Sequence, residues 1–196
     1  MHNYVYFCKY KLYLMKKILI LLVASMMYNT SSFAQASEKG NVVITPSIGL
    51  GSYGYYSYGA RGFGLPVNLN VDFNVHDYVS VGPWASFYTR KFDSDARYTG
   101  IGVGARGLFH WWQLLDDKVD KDLKADKIDI YWGLGFGYNI GNLKYKDSQI
   151  GSYKDNYFTW GSGLGIRYYF VERFGVSAEF GYLGNSWLKI GFPIKI

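Results

Sequence analysis

Residues 128–141 read IDIYWGLGFGYNIG, and the order of side chains in this stretch decides the fold. Ile128, Ile130, Trp132, Leu134, Phe136, Tyr138 and Ile140 fall on one face of an extended chain. Asp129, Tyr131, Gly133, Gly135, Gly137, Asn139 and Gly141 fall on the other. Strict period-two alternation is strand patterning. One face is large and apolar, whereas the other is built mostly of glycine with a few polar groups.

The same division recurs outward in both directions. In 61–75, Leu65, Val67, Leu69, Val71, Phe73 and Val75 alternate with Gly64, Pro66, Asn68, Asn70, Asp72 and Asn74. At the end of the chain Leu188, Ile190, Phe192, Ile194 and Ile196 alternate with Lys189, Gly191, Pro193 and Lys195. Eight such segments are predicted, at 41–52, 61–75, 78–91, 97–113, 128–141, 157–171, 174–184 and 187–196. A soluble barrel would turn its bulky face inward and carry charge outside. A second face of Gly, Ser, Asn and Tyr suits a narrow interior instead, and eight strands leave room only for side chains within. Large aliphatic residues outside then require lipid, where strands must close because an open edge would leave backbone groups unpaired. The expected fold is all-β, an eight-stranded antiparallel up-and-down transmembrane β-barrel.

Aromatic residues gather near the segment ends, with Trp111, Trp112, Tyr131 and Trp132 toward one side. Tyr88, Tyr157, Trp160 and Trp187 lie toward the other. Interfacial girdles have this distribution. Short connections are expected at 76–78 and 172–174, where three-residue hairpins keep the apolar parity, and a longer one at 114–127. The opposite end carries 53–60, 92–96, 142–156 and 185–186. The stretch 114–127, LLDDKVDKDLKADK, mixes five aspartates with four lysines and is expected as a solvated turn, although Leu115, Val119 and Leu123 recur at helical spacing.

The start of the chain has a different character. From Met15, Lys16 and Lys17 precede an apolar run from Ile18 to Met27, followed by polar residues and Ser32-Phe33-Ala34. This describes a secretory signal peptide, too short in its apolar part for the ~20 residues a spanning helix needs. Residues 1–36 are therefore read as an extension and cleaved signal, with Met15 as the start and cleavage after Ala34 or Ala36. Residues 37–196 form the barrel domain. Removal takes four of the 21 basic residues (Lys9, Lys11, Lys16 and Lys17) and no acid, leaving 17 basic against 15 acidic groups. The basic balance thus gives no argument for nucleic-acid binding. The single cysteine, Cys8, goes too, which excludes disulfides and thiolate chemistry from the mature chain.

The last residues, KIGFPIKI (189–196), resemble the signal that the outer-membrane assembly machinery reads on the final strand of bacterial barrels. The match lies on Lys189, Gly191, Ile194 and Ile196, with Ile at the end where Phe or Trp is more usual. KIDIYWGLGFGYNIG (127–141) resembles a strand of the small outer-membrane β-barrel family of the OmpA/OmpX-like and opacity-protein type. The resemblance spans about residues 41–196. It implies a Gram-negative outer-membrane location with both termini periplasmic, and outer-membrane lipids and the assembly machinery as partners. It implies little about activity, since this scaffold hosts many roles.

Chemistry is sparse. Some small barrels of this membrane modify lipid A, which requires a histidine with a hydroxyl and a carboxylate near the outer leaflet. His76 falls in a short turn and His110 at the inner end of its strand, so no catalytic residue is assigned and the chain is read as a non-enzyme. Asp93 and Asp95 are read as solvated, and no metal site or cofactor is expected. Asp72, Arg106, Arg167 and Glu179 all share the inward parity near mid-depth, with Arg167 opposite or diagonal to Glu179. They are expected as a lumen-filling salt-bridge network rather than a gate. Tyr53, Tyr55, Tyr56 and Tyr58 in GSYGYYSYGARG (51–62) are expected as an aromatic rim on the first external hairpin, facing an extracellular partner the sequence does not identify. The leading functional reading is a structural or surface-interaction barrel. Transport or binding of a small or lipid ligand is the alternative, and lipid-A modification is third.

Overall fold

The computed structural model describes residues 36–52, 60–61, 65–92, 96–119, 122–145, 152–184 and 186–196. All of the expected signal segment but Ala36, the four rim tyrosines, and Asp93 and Asp95 lie outside them. Ten strands follow in order: β1 (Val42–Ser52), β2 (Ala60–Arg61), β3 (Val67–His76), β4 (Val79–Phe92), β5 (Arg97–Phe109), β6 (Ile128–Lys144), β7 (Ser152–Val171), β8 (Phe174–Gly181), β9 (Ser186–Gly191) and β10 (Ile194–Lys195). One helix, α1 (Trp111–Lys118), interrupts them. All pairings are antiparallel: β1 pairs with β3, the strands from β3 to β9 each pair with the next, β2 pairs with β4, β10 also pairs with β8, and β1 closes the ring against β9 and β10. Counting β2 with β3 and β9 with β10, the ring has eight staves. Among the described residues no helix is long and apolar enough to cross a membrane. The crossing elements are strands.

Parity holds around the ring. Val67, Leu69 and Phe73 on β3, Ile101 and Val103 on β5, and Leu134 and Phe136 on β6 are all exposed on the outside, while Asn68, Asn70, Asp72 and Asn139 are buried within. On β6 the outward apolar series from Ile128 to Ile140 spans about 30 Å along the barrel axis, for ~3.3 Å per residue and a tilt near 40°. That matches an apolar membrane band. Such a continuous apolar surface is stable only in apolar surroundings, and the protein is a transmembrane barrel.

Several predicted boundaries move. The strand expected to reach residue 113 stops at Phe109, and 111–118 is helical where the end of that strand and the start of the 114–127 turn were expected. Adjacent Trp111 and Trp112 break the period-two pattern, and Lys118 favours the helix C-terminus. Trp112 Nε1–H donates to the Leu123 carbonyl (3.1 Å), and Asp116 accepts from the Leu123 N–H (2.6 Å), which turns the chain back to the barrel. The helical spacing of Leu115, Val119 and Leu123 misplaced the helix, because Val119 is already extended. The expected loop 142–156 is mostly strand: pairing continues through Asn142↔Lys154 to Lys144↔Ser152. Backbone pairing outlasts the hydropathy signal there because side chains beyond the membrane no longer need to be apolar.

The turns at 76–78 and 172–174 are two-residue turns, with the register shifting beside them. The shift restores the parity that a three-residue turn would have kept. The strand expected at 174–184 ends at Gly181. Gly181 and Gly184 take φ of 111° and 110°, a left-handed conformation that glycine adopts without strain. Between them Leu183 turns into the lumen and is fully buried. The final stave breaks at Phe192-Pro193, where proline has no N–H to give, yet the register against β1 is the same on both sides.

The expected girdle is corrected in part. Trp132, Trp160 and Trp187 face outward, but Tyr88 and Tyr131 are buried inside. Inward glycines make the space for them. A methyl on Gly100 would meet the Tyr88 ring, one on Gly165 the Tyr131 ring, and one on Gly104 or Gly137 the Trp84 indole. Aromatics therefore fill the half of the lumen away from the termini, the distal half, where Tyr88 and Tyr98 stack at 5.6 Å. The terminal mouth is covered by the chain itself. Ala36 N–H donates to the Ala125 carbonyl (2.9 Å), and Ser37 Oγ donates to the Asp77 carbonyl (2.9 Å). Tyr78 joins its turn to α1 by donating to Asp117 (2.8 Å), a bond that raises the Tyr78 phenol pKa above its ordinary value.

Candidate functional site: a charged column in the lumen

Between mid-depth and the terminal mouth the inward face gathers a cluster of charges. Asp72 on β3 stands at the centre and is fully buried. It accepts two bonds from Arg106, from Nε at 2.8 Å and Nη2 at 2.6 Å, and a third from Arg167 Nη2 at 2.6 Å. Arg106 Nη1 reaches Glu179 at 2.7 Å, which also accepts from Tyr131 Oη at 2.9 Å. Bidentate guanidinium–carboxylate pairing of this kind is strong and fixes orientation.

Asp72, Arg106, Arg167 and Glu179 thus occupy one cluster, although its wiring differs from the simplest expectation. Arg167 lies opposite Ser177, and Glu179 opposite Gly165, so the two are diagonal neighbours. Arg167 nonetheless pairs across the lumen with Asp72 and, at 3.4 Å, with Asp129, its directly opposite residue on β6. The cluster also extends below the expected mid-depth, because Asp129 opens β6 at the terminal side.

Three further members were not assigned from the sequence. Asp129 joins Arg167 to His110, whose Nδ1 lies 2.7 Å from Asp129 Oδ1. Lys189 pairs with Glu179 and donates to the Leu183 carbonyl. Tyr131 packs its ring under Arg167, with the guanidinium carbon 4.6 Å from the ring centre. Inward parity alone marks Asp129 and Lys189 as buried charges, but Lys189 was read as part of the C-terminal signal. Of that signal, Lys189 and Gly191 face the lumen, while Ile190 and Ile196 are exposed outside and Ile194 is half-buried.

The charges balance. Asp72, Asp129 and Glu179 offset Arg106, Arg167 and Lys189, three against three. Neutrality is what a closed, poorly solvated interior demands, because an unpaired buried ion costs several kcal/mol. Below the column, Ser80 Oγ sits against His110 Nε2 and 3.0 Å from Asn74 Oδ1. Serine, histidine and aspartate in this order follow the connectivity of a nucleophile, base and orienting carboxylate. Ser80 and His110 are both fully buried, however, and Asp129 is shared with Arg167. The arrangement can hold side chains and protons in place, with the hydroxyl closed off from the surface. Among the described residues no group of three His, Cys, Asp or Glu stands together to hold a metal.

No protein-family model matches the chain, and no curated protein matches it. Solved structures do. The chain is similar to the outer membrane protein OprG from Pseudomonas aeruginosa, with 12% identity and a TM-score of 0.54, covering 82% of this chain and 97% of that one. It is also similar to the N-terminal β-barrel domain of OprF from the same organism, with 14% identity and a TM-score of 0.51, covering 81% and 98%. The fold is that of the small eight-stranded outer-membrane β-barrels.

Proposed function

We propose that the chain is an integral outer-membrane barrel that acts as a structural or surface-interaction protein. Its termini and α1 lie in the periplasm, and the distal loops lie outside. The outward apolar band and the likeness of fold support the location. The observation that carries the role is the closed lumen, filled by a neutral ion network below and by aromatics above. An eight-stranded ring has no spare width around such a filling, which argues against conduction. The final stave, with Ile190 and Ile196 outside, serves the assembly machinery during insertion.

Glu179→Gln tests the structural role of the network against gating. Losing one carboxylate charge beside Arg106 and Lys189 lowers stability by about 2–4 kcal/mol in urea titrations of the lipid-reconstituted barrel. Planar-bilayer recordings of the variant stay silent. A stable new current would make the network a gate.

The Ser80–His110–Asp129 alignment is proposed as structural. A fluorophosphonate leaves Ser80 unlabelled in the folded barrel, and His110→Ala leaves lipid-A modification in an expressing strain unchanged. Ser80 labelling, or a lipid-A product that vanishes with His110, would restore the enzyme reading.

A further inference from the structure

We propose that the outward surface at the distal ends of β4 to β7 binds the phosphate headgroup of an acylated outer-leaflet lipid. The strand registers carry the argument. Lys91 lies directly opposite Arg97, and Arg97 directly opposite Lys144. Lys154 faces Asn142 one step along, diagonal to Lys144. Arg61 occupies the register position opposite Lys91. All of Lys91, Arg97, Lys144 and Lys154 are exposed.

Like charges directly opposite one another on a sheet face are destabilising. Here three stand in a row across three adjacent strands. No described residue pairs with them, and none of the outward positions of β4 to β7 carries a carboxylate. Asp155 has the other parity and lies 3.5 Å from the Tyr98 hydroxyl. The interior neutralises every charge of its network, whereas this edge leaves four cations together. With no counter-charge among the described residues, the row suits an anion from outside the chain.

The surface beneath selects the kind of anion. Four residues down β6 from Lys144, about 10 Å along the axis, Ile140 opens the apolar band. Below it on β7, Phe158 opposite Tyr138 and Trp160 opposite Phe136 are among the most exposed apolar residues of the barrel, at 64% and 72%. A ligand that meets both surfaces is anionic at one end and apolar at the other. A soluble polyanion would use only the upper half. This inference rests on the proposed orientation, with the distal mouth outside, and two separate readouts keep the two ideas apart.

The first is the affinity of the folded full-length barrel for fluorescent lipid A bearing both phosphates, read by anisotropy in detergent. Lys91→Gln, Arg97→Gln, Lys144→Gln and Lys154→Gln together weaken binding about tenfold or more, given the attraction each surface cation has for an anionic headgroup. The gel mobility of the unheated variant stays that of the wild type. Lipid A stripped of phosphate binds the wild type as weakly as the variant binds the intact lipid. Unchanged affinity in the variant overturns the site. Dextran sulfate binding the wild type as tightly as lipid A overturns the lipid assignment in favour of a soluble polyanion.

The second readout is Tyr145→Cys, labelled in intact cells by a membrane-impermeant maleimide. Labelling supports the orientation. Its absence, with labelling restored in broken cells, overturns the orientation and with it the outer-leaflet source, whatever the affinity measured in detergent.

Discussion

In an Asp72→Ala variant the barrel loses about 3–5 kcal/mol of stability, the range for removing one partner from a buried ion cluster. Urea titration followed by tryptophan fluorescence measures it, with unheated gel mobility as the check on folding. The size follows from the number of bonds that converge on one carboxylate. Asp72 holds Arg106 through two bonds and Arg167 through one. Without it the column carries three cations against two anions inside a closed wall. Arg106 keeps Glu179, but of its ion pairs Arg167 keeps only the longer one, to Asp129.

The same bookkeeping predicts a rescue. Adding Arg167→Met to Asp72→Ala returns the column to two anions and two cations, with the Arg106–Glu179 and His110–Asp129 contacts intact. The double variant is then more stable than the sum of the single effects allows by at least ~1 kcal/mol, the mark of directly coupled residues. Strictly additive losses, or an Asp72→Ala barrel as stable as the wild type, would show that the column does not act as one unit.

Much of this fold is legible in residues 128–141 alone. A lipid-facing strand has one dominant requirement on its outer side, and Ile128 through Ile140 meet it at every second position. Inward charges are equally legible, since parity marks Asp72, Arg106, Arg167 and Glu179. Their partners are less so. Arg167 and Glu179 are diagonal neighbours on adjacent strands, yet Arg167 finds Asp72 across the lumen because that interior is only a few side chains wide. Sequence spacing reports neighbours along the sheet and says nothing of contacts across the ring. The features beyond the membrane were the hardest to read. At Asn142 to Lys144 the ladder continues after the apolar alternation has ended. At Trp111 the helix begins on two aromatics that also suit a girdle. Leu183 was read as strand, because nothing local announces that a pair of left-handed glycines will fold it inward.

Gly165→Val tests whether the lumen is packed as tightly as the ring implies, and it lowers stability by about 3–5 kcal/mol. A β-carbon at Gly165 would lie 2.2 Å from Tyr131 Cζ and 2.4 Å from its hydroxyl, so the ring must move. Overpacking of this kind costs roughly 1–3 kcal/mol. The displaced ring also gives up its bond to Glu179 and its place under Arg167. A hydrogen bond to a charged group contributes about 1.5–3 kcal/mol more. Removing the obstacle reverses part of the loss: Tyr131→Ala combined with Gly165→Val is less destabilised than the two single changes summed. Gly135→Ala, set against Gly165→Ala, is the control on the same inward face. Its nearest neighbour would be Leu183 Cδ2 at 3.6 Å, an ordinary contact, so its effect stays within about 1 kcal/mol. Equal losses at Gly165 and Gly135 would mean that β-strand propensity, and not the shape of Tyr131, places glycine on this face. A loss confined to Gly165 ties the inward glycines to the aromatics they accommodate, and through Tyr131 to the ion column on which the closed lumen depends.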